Sequence, residues 1–231
     1  MPEALPFSLH TLELGPMENF VYLIQDHHTQ RIAVVDPAWE VDKIIATAEQ
    51  NGGNISDILL THSHHDHING LNALLERYDA QIHLLKPEAE FWGKAFDNLK
   101  IHQGGDSLDL GHTEIEIWHT PGHTPGSACY LLPNQQLISG DTLFIFGCGR
   151  CDLAGGDPEQ MFHTLKKISQ ALPHETVIHP GHHYSHQPTS TLAEQLAGNP
   201  FMHFEHVDDF VHYRMVQHDR ERQTPYQPIV Q

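Results

Sequence analysis

The chain has 231 residues, enough for one domain with an ample core, and a net charge of −18, with 12 Lys+Arg against 30 Asp+Glu. So few basic side chains cannot neutralise a phosphate track or hold an anionic membrane surface, which argues against nucleic-acid and membrane partners. Three cysteines, odd in number and sparse, argue for a reducing compartment. No apolar run reaches a membrane span, and Met1 to Pro16 lacks the basic start and apolar centre of a signal peptide, so the cytoplasm is the expected location.

Alternation of Leu5, Phe7 and Leu9, and then of Phe20, Tyr22 and Ile24, predicts two opening strands. A third strand, Arg31 to Asp36, stops at Pro37. Ile44, Ile45 and Ala48 predict a helix over Val41 to Gln50, closed by Gly52-Gly53. Strand Ile55 to Leu60 then runs into THSHHDHING, which places His62, His64, Asp66 and His67 within six positions. Neutral imidazoles and carboxylates are ligands for borderline divalent metals, and a loop leaving a buried strand can turn all four inward. His65 alternates away from His62 and His64, so it is not expected to be a ligand.

Next come a helix over Ile68 to Tyr78, a short strand Ile82 to Leu85 and a helix over Glu88 to Asn98, with Phe91, Trp92 and Phe96 read as core. Strand Thr113 to His119 leads to His123 in TPGHTPGS. A hairpin, Ser127 to Leu132 with Gln136 to Ser139, leads to Asp141 in LISGDTLF. Cys148 and Cys151 form a CxxC. Without a second CxxC it reads as a tight loop with two small side chains rather than a zinc or redox pair. Asp157 and Pro158 cap a helix to Leu172. Strand Thr176 to His179 leads to His182 in VIHPGHHY, and helices follow over Thr189 to Ala197 and Phe201 to Gln217. Three strand ends thus offer candidate ligands to one edge, and the pattern of elements is α/β or α+β.

These motifs together resemble the metallo-β-lactamase superfamily, in particular its glyoxalase II (hydroxyacylglutathione hydrolase) branch. HxHxDH carries the superfamily resemblance, and GDTLFIFGCGR the thioester-hydrolase and persulfide-dioxygenase branches. The resemblance implies an αββα four-layer sandwich with the metal site at one edge of the sheets. It implies a hydrolase domain over residues 1–188 and a C-terminal helical extension over 189–231 packed on it.

It further implies two Zn2+ ions, with Fe or Mn as alternatives. His62, His64 and His123 would hold one and Asp66, His67 and His182 the other, with Asp141 bridging. Asp66 and Asp141 would be the catalytic carboxylates, acting with metal-activated water on a carbonyl. Arg150 and Tyr184 match substrate-binding positions, and Asp36 matches a residue that supports the metal loop. A thiolate leaves with a pKa near ~8.5 and needs little acid help, so a thioester is the expected substrate, either a small molecule or a carrier-protein thioester.

The chain departs from glyoxalase II at Cys151 and Asp152, where aromatics are usual, and at Met202 to Glu205, where basic residues are usual. Asp152 and Glu205 are expected to disfavour glutathione and to favour an acyl-carrier or pantetheine thioester. Two other readings compete: a mono-iron persulfide dioxygenase using His62, His123 and Asp141, and a non-catalytic metal-binding module.

Overall fold

The computed structural model describes residues 5–222 and 224–229. Its elements run β1 (Phe7–Leu14), β2 (Asn19–Asp26), β3 (Arg31–Val35), α1 (Val41–Gln50), β4 (Asn54–Leu59), α2 (His65–Ile68) and α3 (Leu71–Leu75). They continue with β5 (Gln81–Leu85), α4 (Lys86–Trp92), β6 (Leu99–His102), β7 (Ser107–Leu110), β8 (Thr113–His119), β9 (Ala128–Leu132) and β10 (Gln136–Gly140). Then come β11 (Leu143–Phe144), β12 (Gly147–Cys148), α5 (Pro158–Ala171), β13 (Val177–Pro180), β14 (Ser190–Thr191), α6 (Leu192–Gly198), α7 (Val207–His212) and α8 (His218–Glu221).

Among the described residues, β1 to β6 form one six-stranded sheet in sequential order. β14-β13-β10-β9-β8-β7 form a second. The first is antiparallel over β1 to β3 and parallel from β3 to β6. The parallel connections are the ones that carry α1, α3 and α4, as a crossover requires. Strand β2 shows how the layers form. Phe20, Tyr22 and Ile24 face the second sheet and pack with Ile115, Ile117, Tyr130 and Ile138. Val21 and Leu23 face the other way and pack with Ile44 of α1 and Leu71 and Leu74 of α3. The outer face of the second sheet is covered by Met161, Leu165 and Ile168 of α5 and by Phe201 and Phe210 of the C-terminal segment. Helices, sheet, sheet and helices make the four-layer sandwich expected from the sequence. The two sheets are also tied by polar bonds, with Tyr22 Oη donating to Pro180 O at 2.6 Å and Tyr130 Oη to Leu60 O at 2.7 Å.

Four expectations need correction. The helix over Ile68 to Tyr78 is interrupted at Asn69–Gly70. There Asn69 Oδ1 accepts from Trp39 N at 2.6 Å, and Gly70 N–H bonds Pro37 O at 3.0 Å in a contact too close for a Cβ. The helix over Glu88 to Asn98 starts two residues earlier, at Lys86 with Pro87 in its first turn, and ends at Gly93 in the left-handed region. The long C-terminal helix is instead a 3-10 turn at Pro200–Met202, then α7, a π turn at Tyr213–Gln217 and α8. Finally, β6, β7, β11, β12 and β14 have no counterpart among the expected elements, and β14 delays to Leu192 the helix expected from Thr189. Among the described residues no helix is long and apolar enough to cross a membrane.

Candidate metal centre

Every candidate ligand lies at or just beyond a strand or turn on the same edge of the sandwich. His62 and His64 follow β4, and Asp66 and His67 open the single-turn helix α2. His123 stands between β8 and β9, Asp141 ends β10 and His182 follows β13. The structure brings all seven together. The ligand atoms of His62, His64 and His123 lie within 4.8 Å of one another, and so do those of Asp66, His67 and His182. Asp141 stands between the groups, with Oδ2 at 3.5 Å from His123 Nε2 and 3.4 Å from His182 Nε2, and Oδ1 at 3.2 Å from His67 Nε2. His65 is exposed and outside the cluster.

The hydrogen bonds around the rings fix which nitrogens are bare. Thr61 Oγ1 spends its proton on Asp36 Oδ2 at 2.5 Å, so His62 Nδ1 is the donor in its 3.0 Å contact with that hydroxyl. His67 Nδ1 donates to Asp36 Oδ2 at 2.9 Å, His123 Nδ1 to Arg150 O at 2.7 Å and His182 Nδ1 to Met17 O at 2.8 Å. Each of these neutral rings then presents a lone pair at Nε2. His62 Nε2, His123 Nε2 and Asp141 Oδ1 are buried with no hydrogen-bond partner, and His67 and His182 Nε2 face each other at 3.2 Å. Buried acceptors converging without donors are costly, and cations relieve that cost. The residues fit bound dications.

Titration directions divide the rings into two pairs. Burial, with His67 and other cluster histidines adding to it, holds His62 low, and burial takes His123 to about 4 despite Asp141. Burial also opposes charge on His67 and His182, but Asp141 and its neighbours override it and push His67 up and His182 to about 9. Asp141, despite burial, is held well below the carboxylate range by His182 and His67. Without dications, the carboxylates draw protons onto two of the rings.

Asp36 therefore orients rather than ligates, accepting also from Thr61 N at 2.7 Å. Several orienting residues have no signature in sequence spacing. Asn19 donates to Asp66 O and Oδ2, each at 3.1 Å, and is itself held by Trp39 Nε1 at 2.7 Å. Glu88, completely buried, accepts from Ser63 N and Oγ, Thr124 Oγ1 and Gly126 N at 2.6–3.0 Å. It thereby ties the His62–His64 loop to the His123 loop. Gly149 packs so tightly on Asp141 O and the His123 ring that a Cβ would not fit.

A cavity of about 760 Å3 opens on the cluster and is lined by Arg150, Leu153, Tyr184, Arg222 and Tyr226, among others. Tyr184 stacks on His182 at 4.6 Å and 9°, and burial pushes its phenol well above the ordinary tyrosine value. Arg150 is engaged by Asp152 in a two-pronged pair at 2.9 and 2.7 Å. Glu205 does not line this cavity. It projects from the outer face, with its carboxylate 3.9 Å from Lys166, so the expected repulsion between Glu205 and a bound thiol carrier does not arise.

Comparison with known proteins matches the geometry. The metallo-beta-lactamase superfamily profile covers residues 14–182, which span all seven clustered side chains. The polyketide biosynthesis zinc-dependent hydrolase BaeB of Bacillus velezensis, so named as probable, is 35% identical over 85% of this chain and 87% of its own. A hydroxyacylglutathione hydrolase of Pseudomonas fluorescens is 36% identical, over 73% of this chain and 62% of its own. Among solved structures, ETHE1 from Myxococcus xanthus has a TM-score of 0.83 at 28% identity over 90% of both chains. TTHA1623 in a di-iron-bound form has a TM-score of 0.70 at 32% identity, over 83% of this chain and 99% of its own. With the profile spanning the whole cluster and the sandwich shared, the chain belongs to the metallo-beta-lactamase superfamily.

Proposed function

We propose that the chain is a dinuclear metal-dependent thioesterase. The observation that carries this reading is the pair of three-residue groups, His62/His64/His123 and Asp66/His67/His182, with the Asp141 carboxylate between them. Two divalent ions, zinc or in part iron or manganese, would supply Lewis acidity and lower the pKa of water in the cavity. The di-iron form of TTHA1623 and the zinc-dependent naming of BaeB support two ions and a hydrolytic role.

The protein side of the mechanism follows from contacts already described. Asp36, Thr61, Met17 O and Arg150 O fix the ring orientations, so the cluster does not reorganise during reaction. Asp66 Oδ2 is steadied by Asn19 and is partly open to the cavity, where it can orient the attacking water. The Tyr184 hydroxyl stays protonated and presents a donor to the substrate. No lining group is needed as acid for a departing thiolate.

The substrate is a thioester carried on a pantetheine or carrier-protein arm in preference to glutathione. Two features support this: the naming of BaeB and PksB for polyketide biosynthesis, and the Arg150–Asp152 pair, which withdraws a cation that a glutathione carboxylate would use. Residues 1–188 act as the hydrolase domain and 189–231 as its extension, of which Arg222, Thr224, Pro225 and Tyr226 line the cavity.

The test is catalytic efficiency of the metal-loaded protein on acetyl-pantetheine, an acylated carrier protein and S-lactoylglutathione. Higher efficiency on the pantetheine-type thioesters is expected. High efficiency on S-lactoylglutathione alone would make this an ordinary glyoxalase II.

A further inference from the structure

Next to the active-site cavity lies a second cavity of about 430 Å3, open to solvent where Pro228 and Ile229 are exposed. Tyr226 and Ser185 line both cavities, so these two residues form the partition between them. The inner wall of the second cavity is mainly apolar, made by Phe146, Ala197, Pro228 and Ile229, with Ser185, His186 and Glu194 also lining it.

The partition is built so that the ring of Tyr226 can be considered apart from its backbone. Tyr226 N–H donates to Tyr184 O at 2.6 Å, Ser185 Oγ donates to Tyr226 O at 3.0 Å, and Ile229 N–H donates to Gly198 O at 2.9 Å. These bonds hold the 224–229 segment through its main chain. The ring stacks on Phe144 at 6.5 Å and 24°, lies edge-on to Tyr184 at 6.1 Å and tilted to His218 at 5.8 Å, and has Arg222 beside its hydroxyl. Tyr184 in turn stacks on the candidate ligand His182. The Tyr226 ring therefore stands between Tyr184, on the side of the reacting centre, and the second cavity.

We propose that Tyr226 is a specificity-determining residue that limits the length of the acyl chain, and that the cavity behind it is an acyl-tail site opened when that ring is removed. The occupant is an aliphatic acyl tail, because both thiol carriers are polar along their length and the wall of Phe146, Ala197, Pro228 and Ile229 offers them little. The inference rests on the thioesterase reading.

The experiment is kcat/KM on straight-chain acyl-pantetheine thioesters from acetyl to dodecanoyl, for the metal-loaded wild type and for Tyr226→Ala. In wild type, efficiency should rise with the first methylenes and then fall steeply once the chain meets Tyr226. In Tyr226→Ala the fall should move to longer chains, each further methylene buried in the second cavity adding about fourfold. Adding Ala197→Phe to Tyr226→Ala fills the second cavity and should bring long-chain efficiency back down. Should Tyr226→Ala not fold, Tyr226→Leu keeps more of the packing and should give a smaller shift in the same direction.

A wild type that takes dodecanoyl as readily as butyryl would overturn the proposal, as would an unchanged chain-length profile in a folded variant. Failure of the thioesterase reading looks different, because no thioester of any length would then be hydrolysed.

Discussion

A carboxylate buried away from any cation has to be held by hydrogen bonds, and Glu88 accepts four of them from two ligand-bearing loops. Glu88→Gln puts an amide donor opposite two of those donors. It should cost about 2–3 kcal/mol of stability and weaken metal retention, read by thermal unfolding and by metal content after dialysis against a chelator. The sequence placed Glu88 in a helix and said nothing of this role, because its partners are 25 to 38 residues away and follow no repeating spacing. The seven clustered residues were legible for the opposite reason. Four fall in one short run, and the other three each sit beside Gly or Pro turns. At the same scale, Asp141→Ala should abolish activity and lower metal content, whereas His65→Ala, exposed and outside the cluster, should leave both near wild type. Half the metal lost in His65→Ala would overturn that ligand set.

Asp26 gives a pH prediction remote from the metals. Fully buried, it accepts from Thr29 N, Thr29 Oγ1, His112 N and Thr113 Oγ1 at 2.7–3.0 Å. Burial opposes its charge, but these bonds hold its carboxyl well below the usual range. A pKa lower folded than unfolded means stability that is complete above the unfolded value of about 4 and lost as pH falls toward the folded one. Asp26→Asn should therefore cost about 2 kcal/mol at neutral pH, with the gap to wild type closing below pH ~4 in chemical denaturation.

Elements were legible where one periodicity ruled and illegible where tertiary contacts cut it. The β2 and β8 alternations translate directly into faces of the sandwich. Residues 68–78 have good helical spacing, yet Gly70 is drawn onto Pro37 and splits the helix. The C-terminal periodicity likewise hides a π turn, in which Arg214 is buried with Phe201 beneath its guanidinium at 5.8 Å. Edge strands β6 and β7 carry exposed Lys100 and Asp109, so apolar alternation was too weak to mark them. The loop after β12 carries its own prediction. Asp152→Tyr should free Arg150 and add an aromatic wall, raising kcat/KM on S-lactoylglutathione several-fold, mainly through KM. No change in KM would mean that Arg150 does not meet the thiol carrier.

At the scale of the molecule, the C-terminal segment is continuous with the sandwich. Ser190–Thr191 pair with β13 at a sheet edge, and Leu192, Phe201, Phe210 and Tyr226 share one apolar cluster with Leu137, Met161 and Ile178. The proposed boundary at 188 is thus one of function rather than of independent folding. A chain ended at 188 would expose that cluster and should aggregate on expression. The pattern of elements alone gave α/β or α+β, and the order of layers came with the family resemblance carried by the motifs. The placement of the C-terminal segment by the cavity likewise came from the resemblance, since amphipathic spacing names a buried face without naming what covers it.

The central claim is a two-ion hydrolytic site, and elemental analysis of protein purified without added metal, read beside thioester hydrolysis, tests it most directly. The expected result is two divalent ions per chain, with thioester cleavage lost on chelation and regained with zinc. A single iron per chain, with oxygen uptake on glutathione persulfide and no thioester cleavage, would contradict it.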